Sequence, residues 1–165
     1  MRVRVAVAAA ILLLSISTLA HAQSAAVPAL TVSGGWTGFI DEGLISHGAF
    51  GVGAEWLPTQ NLSVGPELLY MVGPRDDRDL FLVGVARVGI LPLRSRVAPF
   101  VTLGGGIMTH SSRFGVESYS STEGAFIFGG GARINATPRI FIAPEYTMGW
   151  EPHMRVSVTV GIRFP

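Results

Sequence analysis

The sequence predicts an all-β protein, an eight-stranded antiparallel up-and-down transmembrane β-barrel. Three observations carry this. From Leu30 to the end, apolar and polar residues alternate one for one over segments of about ten residues, the period of a strand with two unlike faces. Charge is scarce, with Asp, Glu, Lys and Arg at 14% of the chain against about 25% in typical soluble domains. After residue 22 no apolar run approaches the roughly 18 residues a spanning helix needs, although hydrophobic residues reach 48% and the mean hydropathy is +0.46.

The N-terminus reads as an export signal. Met1-Arg2-Val3-Arg4 is a short basic region, Val5 to Ala20 is apolar apart from Ser15, Ser17 and Thr18, and Ala20-His21-Ala22 fits a small-x-small cleavage pattern before Gln23. Residues 1–22 are therefore expected to be removed, 23–29 to form a short lead-in and 30–164 to form the barrel. The chain has no Cys, so neither lipid attachment at the cleavage site nor disulfides are expected.

Eight strands follow. The first, about Leu30 to Ile40, sets Leu30, Val32, Trp36 and Ile40 against Thr31, Ser33 and Thr37. The second, about Ser46 to Leu57, sets Phe50, Val52, Ala54 and Trp56 against Ala49, Gly51, Gly53 and Glu55. In the third, Leu62, Val64, Leu68, Tyr70 and Val72 oppose Ser63, Gly65, Glu67 and Met71. The fourth has Leu80, Leu82, Ala86, Val88 and Ile90 on one face, with Arg87 and Gly89 joined by Phe81, Val83 and Val85 on the other. The fifth carries Val97, Val101, Leu103 and Ile107 opposite Ala98, Phe100, Thr102, Gly104 and Gly106. In the sixth, Phe126, Phe128, Ala132 and Ile134 oppose Gly129, Gly131, Arg133 and Asn135. The seventh sets Ile140, Ile142, Tyr146, Met148 and Trp150 against Ala143, Glu145, Thr147 and Gly149. The eighth alternates Val156, Val158, Val160, Ile162 and Phe164 with Arg155, Ser157, Thr159, Gly161 and Arg163.

Connections are expected to alternate in length. Pro58-Thr59-Gln60, Leu93 to Arg96 and Ala136-Thr137 read as tight turns. Asp41 to Ile45, Gly73 to Asp79 and the polar stretch 110–123 read as longer loops, with a short Glu151-Pro152-His153 at the same end. Pro66, Pro99 and Pro144 fall inside strands, where each removes a ladder donor, so bulges or early-strand positions are expected there.

In these registers Glu55, Glu67, Arg87, Arg133, Glu145, Arg155 and Arg163 all share one face, and the opposite face carries no charge. A soluble barrel would cover its outside with Lys and Glu, and this chain is too charge-poor for that. Small residues suit the crowded interior of an eight-stranded barrel. The large apolar ones then meet lipid, and closure satisfies every ladder hydrogen bond, as a bilayer demands. Trp56 and Phe164 at one end of the strands, and Tyr70 and Trp150 at the other, suit two membrane interfaces.

The alternation, "APFVTLGGGIMT" at 98–109, "FGGGARINATPRIFIAPEYTMGW" at 128–150 and the terminal "VTVGIRF" resemble the small outer-membrane β-barrels of OmpA and OmpX type across essentially the whole mature chain. The resemblance implies a place in the outer membrane of a Gram-negative cell, with lipid as surroundings. It also implies that the last strand, with Val160, Ile162 and Phe164, is an assembly signal for the outer-membrane insertion machinery. Pro165 departs from the pattern by making that aromatic penultimate.

The inward charges are expected to form a mixed Glu–Arg network that plugs the lumen, because an unpaired buried charge is expensive. On a symmetric turn about Asp77, Glu67 would face Arg87. His47, His110 and His153 fall in or beside the presumed loops with Asp41, Glu42, Asp76, Asp77 and Glu151. No spacing within a loop matches a metal motif, so they read as solvated, with no metal or other cofactor. His110-Ser111-Ser112 with Glu117 and Glu123 superficially matches lipid A deacylases, which carry His-x-Ser within a late strand; here strand seven has neither residue. The Gly triplets 104–106 and 129–131 lack a following Gly-Lys-Ser/Thr, so phosphate binding is unsupported. The net charge of +1 says nothing about nucleic acid, and no basic stripe suggests it, so none is expected as a partner. The expectation is a non-enzymatic, monomeric outer-membrane barrel acting structurally or through its loops, with no catalytic residues and a loop ligand the sequence does not name. A lipid A-modifying enzyme and a narrow ion-conducting pore are the alternatives.

Overall fold

The computed structural model describes residues 28–40, 43–75, 77–114, 117–150 and 152–164. The presumed cleavage site at Ala20, Ala22 and Gln23, the loop acids Asp41, Glu42, Asp76 and Glu151, and Pro165 lie outside the described residues. Eight strands form one closed antiparallel barrel in chain order: β1 Ala29–Ile40, β2 Leu44–Glu55, β3 Leu62–Val72, β4 Arg78–Gly89, β5 Val97–Phe114, β6 Glu117–Asn135, β7 Ile140–Gly149 and β8 His153–Arg163. Closure comes from β1 pairing with β8, from Ala29–Arg163 to Phe39–His153.

Every strand obeys the two-residue period. Leu30, Val32, Phe50, Val52, Leu68, Leu82, Val101, Leu103, Phe128, Ile142, Val158 and Ile162 are exposed on the outside, while the polar and small partners turn inward. A continuous apolar outer band is untenable in water and is what a transmembrane barrel presents to lipid. Trp56 and Phe164 lie outward at the end that holds both strand termini Ala29 and Arg163, and Tyr70 and Trp150 lie outward at the opposite end.

The connection lengths overturn the expected pattern. At the end expected to carry long loops, the strands run on into short links: 41–43, 73–77, 115–116 and 150–152. The links at the other end, 56–61, 90–96 and 136–139, are the longer set. The presumed loop 110–123 is instead the paired tip of a long hairpin, in register from Val97–Ile134 to Phe114–Glu117. Its residues are polar on both faces, so hydropathy hides the strands, while the backbone ladder still forms. Thr109 and Thr122 add a hydroxyl contact across it at 2.9 Å.

The β3–β4 register also differs. Glu67 pairs with Val83 and Ser63 with Arg87, because the chain turns at Pro74-Arg75, where Arg75 takes φ 56°, rather than around Asp77.

The strand prolines produce no bulge. At Pro66 the β2–β3 ladder stops after Gly53–Glu67 and resumes in the same register at Trp56–Val64. At Pro144 the β6–β7 ladder stops after Gly131–Glu145 and resumes in register at Ile134–Ile142. Pro99 is the third residue of β5, just past the last β4–β5 pair, and its carbonyl accepts from Ile90 N–H at 2.9 Å. Pro66 and Pro144 each cost a short gap on one side, and at all three prolines the other ladder continues through.

The lumen is filled in layers. At the terminal end Leu57, Leu93, Ala98, Phe100, Phe141 and Ala143 cluster, with Glu55, Arg133 and Arg163 at the same level. Beyond these, Leu69, Met71, Phe81, Val83, Met108 and Ile127 form a second apolar layer. A side chain at Gly161 would collide with the Phe141 ring, so this glycine makes room for the lower layer.

Val158 sits in the middle of β8 on the outer face. Val158→Arg is expected to destabilise the barrel in phospholipid vesicles by about 2–4 kcal/mol, the cost of arginine near the bilayer midplane. A near-neutral result in urea unfolding would mean that this face meets water.

Candidate functional site

Two polar assemblies stand inside the barrel. The lower begins with β2, which ends on Glu55, and β6, which carries Arg133 near its own end. Their side chains meet in a forked pair, with Arg133 Nη1 donating to Glu55 Oε1 at 2.8 Å and Nη2 to Oε2 at 2.6 Å. Both are buried. The Arg133 and Arg163 guanidinium carbons lie 4.2 and 4.8 Å from the Phe141 ring centre, so the ring's negative π-face assists two neighbouring cations. Arg163 also donates to the Pro138 carbonyl at 3.2 Å and to Asn135 Oδ1.

Further along, ions form a chain across the lumen. Arg155 on β8 donates to Glu67 Oε1 on β3 at 2.9 Å. Glu67 Oε2 accepts from Arg87 on β4 at 3.1 Å, and Arg87 donates to Glu145 Oε2 on β7 at 3.0 Å. Glu145 Oε1 accepts the Thr102 hydroxyl of β5, and Arg155 Nε donates to Thr147 at 3.2 Å. All seven charged residues anticipated for the lumen are thus engaged there. Glu67 meets Arg87 despite the shifted register, because strand tilt and side-chain length carry one to the other. With four arginines and three glutamates the set is within one charge of neutral.

The upper assembly sits at the hairpin end. His47 near the start of β2, Asp77 just before β4, Asp79 in β4 and His110 in β5 converge on a cavity of about 380 Å³, also lined by Phe39, Ile40, Ile45 and Pro152. His47 Nε2 lies 3.1 Å from Asp77 Oδ2 and 3.5 Å from Asp79 Oδ2. His110 Nδ1 lies 2.7 Å from Asp79 Oδ1 and 3.5 Å from Asp77 Oδ1. His47 Nδ1 faces the Ile45 carbonyl at 3.4 Å. Gly73 makes the arrangement possible, since a side chain there would collide with the His47 ring.

These histidines are not the solvated loop residues expected. His47 and His153 are 2% and 3% exposed: His47 takes the inward parity of β2, and β8 begins at His153, before the expected strand start, with inward parity continuing to it. His153 packs between the Phe39 and Phe81 rings, at 5.3 and 5.4 Å. Nor does His110 open a loop; it lies within β5, paired opposite Ser121. Of the deacylase-like set, Glu123 accepts the Trp150 indole N–H at 3.5 Å while His110 engages Asp79. The Glu117 side chain lies outside those described.

A closed, lipid-facing, internally plugged barrel of eight strands defines the class. No protein-family model matches the sequence, and no curated protein is similar to it in sequence. Among solved structures, Neisserial surface protein A (NspA) superposes with a TM-score of 0.69 at 12% identity, over 84% of this chain and 96% of that one. The N-terminal β-barrel domain of Pseudomonas aeruginosa OprF gives 0.64 at 9% identity, over 82% and 97%. Ail, the attachment invasion locus protein of Yersinia pestis, gives 0.59 at 15% identity, over 84% and 99%. The chain has the fold of the small eight-stranded outer-membrane β-barrels.

Breaking the forked pair is expected to cost more than removing it. Arg133→Met alone should destabilise the barrel by about 3–5 kcal/mol by stranding Glu55, and Glu55→Met with Arg133→Met should recover most of that. Equal losses in the single and double variants, read from urea unfolding in vesicles, would show that Glu55 does not depend on Arg133.

Proposed function

We propose that this chain is an outer-membrane barrel without enzymatic activity, whose lumen serves stability and whose work is done at the cell surface by the β5–β6 hairpin. The observation that carries the reading is strand length. β5 and β6 run for 18 and 19 residues against 10 to 12 in the others. The last partner of β6 on β7 is Ile127 with Gly149, and the last partner of β5 on β4 is Ser111 with Arg78. β6 therefore stands clear of β7 for about ten residues, and the hairpin tip clears β4 by three, about 10 Å at a strand's rise. The segment is polar, with Ser118, Tyr119, Ser120, Ser121 and Thr122 in sequence, and Tyr119 is 64% exposed. A polar hairpin of that reach belongs in water, and the apolar outer band belongs in lipid.

In this orientation the hairpin end faces outward from the cell, and the end with both strand termini faces the periplasm. The C-terminal strand, with Val160, Ile162 and Phe164 on its lipid face, is then the segment the insertion machinery would engage.

The pore alternative is disfavoured by two apolar layers and an ion chain across the lumen. The deacylase alternative is disfavoured by the engagement of His110 with Asp79 at the mouth. The fold by itself selects no function, since de novo designed transmembrane β-barrels share it with a TM-score of 0.52.

A short epitope inserted between Gly115 and Val116 should be labelled by antibody on intact cells, with the protein still showing heat-modifiable gel mobility. Labelling only after permeabilisation would overturn the orientation and with it the surface role. In planar bilayers the purified barrel should show no unitary current. His110→Ala with Ser112→Ala should leave lipid A acylation unchanged, and an altered acylation pattern would restore the enzyme reading.

A further inference from the structure

The cluster at the mouth has a chemistry the stability of the barrel does not use. Two imidazole nitrogens, His47 Nε2 and His110 Nδ1, each lie within 3.5 Å of an oxygen from both Asp77 and Asp79. The four side chains come from β2, β4, β5 and the link preceding β4, so folding alone brings them together. One acceptor, Asp77 Oδ1, is buried without a hydrogen-bond partner among the described residues.

His47 Nε2 faces Asp77 Oδ2 at 3.1 Å and Asp79 Oδ2 at 3.5 Å, and its Nδ1 faces the Ile45 carbonyl at 3.4 Å. An ion taking the place of a proton on Nε2 would find both carboxylates within reach, and a backbone carbonyl on the distal ring nitrogen is how metal-binding histidines are oriented. His47 and Asp79 are buried to 2% and 3% exposure, and the cavity of about 380 Å³ gives access to the group.

The spacing fits a metal. A tetrahedral ion with bonds of about 2.0–2.2 Å to nitrogen and oxygen separates its ligand atoms by about 3.4 Å. His47 Nε2 lies 3.1 and 3.5 Å from the Oδ2 atoms of Asp77 and Asp79, close to that spacing, while His110 contacts the Oδ1 atom of each carboxylate. His47, Asp77 and Asp79 each offer a ligand atom within 4.8 Å of the others. Imidazole with carboxylate suits zinc, nickel or copper better than calcium or magnesium, which take oxygen alone.

We propose that His47, Asp77 and Asp79 form a binding site for one divalent transition ion of the zinc class at the mouth of the barrel, with His110 holding the two carboxylates from their other oxygens. The bound ion joins β2 to β4 and its preceding link at the base of the hairpin. The site stands independently of what the hairpin binds.

The test is zinc titration by calorimetry, using untagged protein extracted from membranes in detergent and stripped with chelator. One saturable zinc per chain is expected, undiminished by excess magnesium. His47→Gln and Asp79→Asn should each weaken zinc at least about tenfold while heat-modifiable mobility is kept. Cobalt added to the unaltered protein should give the intense visible bands of a tetrahedral site, a readout that does not require the variants to fold. No saturable uptake, uptake displaced by magnesium, or uptake unchanged in both folded variants would overturn the proposal. The cluster would then be held by a protonated imidazole only.

Discussion

The rest of the structure depends on closure of the hydrogen-bonded ladder. In hydrocarbon a strand edge cannot borrow water, and each unpaired backbone group costs several kcal/mol. β1 must therefore find β8, and the pairing that does so runs almost the full length of both strands. Eight strands close on a narrow lumen. Once it is narrow, every inward side chain has to fit and every inward charge has to find a partner within reach. The forked Glu55–Arg133 pair and the chain from Arg155 through Glu67 and Arg87 to Glu145 are consequences of closure. They tie β2 to β6, and β8 to β3, β4 and β7, strands that the ladder itself does not join except at β3–β4 and β7–β8.

The same constraint explains how the barrel tolerates proline. A ladder in a bilayer cannot slip to accommodate a missing donor, because a one-residue slip would turn charged side chains into lipid and apolar ones into the lumen. The β2–β3 and β6–β7 ladders instead leave a gap at Pro66 and Pro144 and resume in the register they left. Facing identity holds the register more firmly than the lost hydrogen bonds disturb it. Gly161 reflects the same crowding, for it lies where the Phe141 ring must pass beneath two guanidinium groups.

Legibility in the sequence followed the hydrophobic period. Where one face was apolar, the alternation gave the strand and the side of each residue, as with Glu55 on β2 and Arg155 on β8. Where both faces were polar, as in 110–123, the period vanished and a paired hairpin read as a loop. The histidines were misread for a related reason. His47 lies within the expected second strand and shares parity with Ala49 and Glu55, while counting in twos past the presumed strand ends puts His153 with Arg155 and His110 with Thr102 and Met108, so parity turns all three inward. Their meeting with Asp77 and Asp79 was another matter. It depends on the turn at Pro74-Arg75, and moving that turn by two residues changes which partners the fourth strand meets.

The two polar assemblies differ in a way that separates stability from function. In the lower one, each carboxylate is matched by a guanidinium that carries a permanent charge and several donors, and the surrounding layers exclude water. Among the described residues, the only buried charged-group atoms without a hydrogen-bond partner there are the Nε donors of Arg133 and Arg163. In the upper one the cations are replaced by imidazoles, whose charge is conditional, and the anions number as many as the rings. That cluster opens to the outside through a cavity and lies at the foot of the one hairpin that projects beyond its neighbours. A charge set built only to fill a lumen would use arginine throughout, as this barrel does a few residues below. The change from guanidinium to imidazole at the mouth replaces a permanent counter-charge with a conditional one, and that is the physical ground for the proposed ion site.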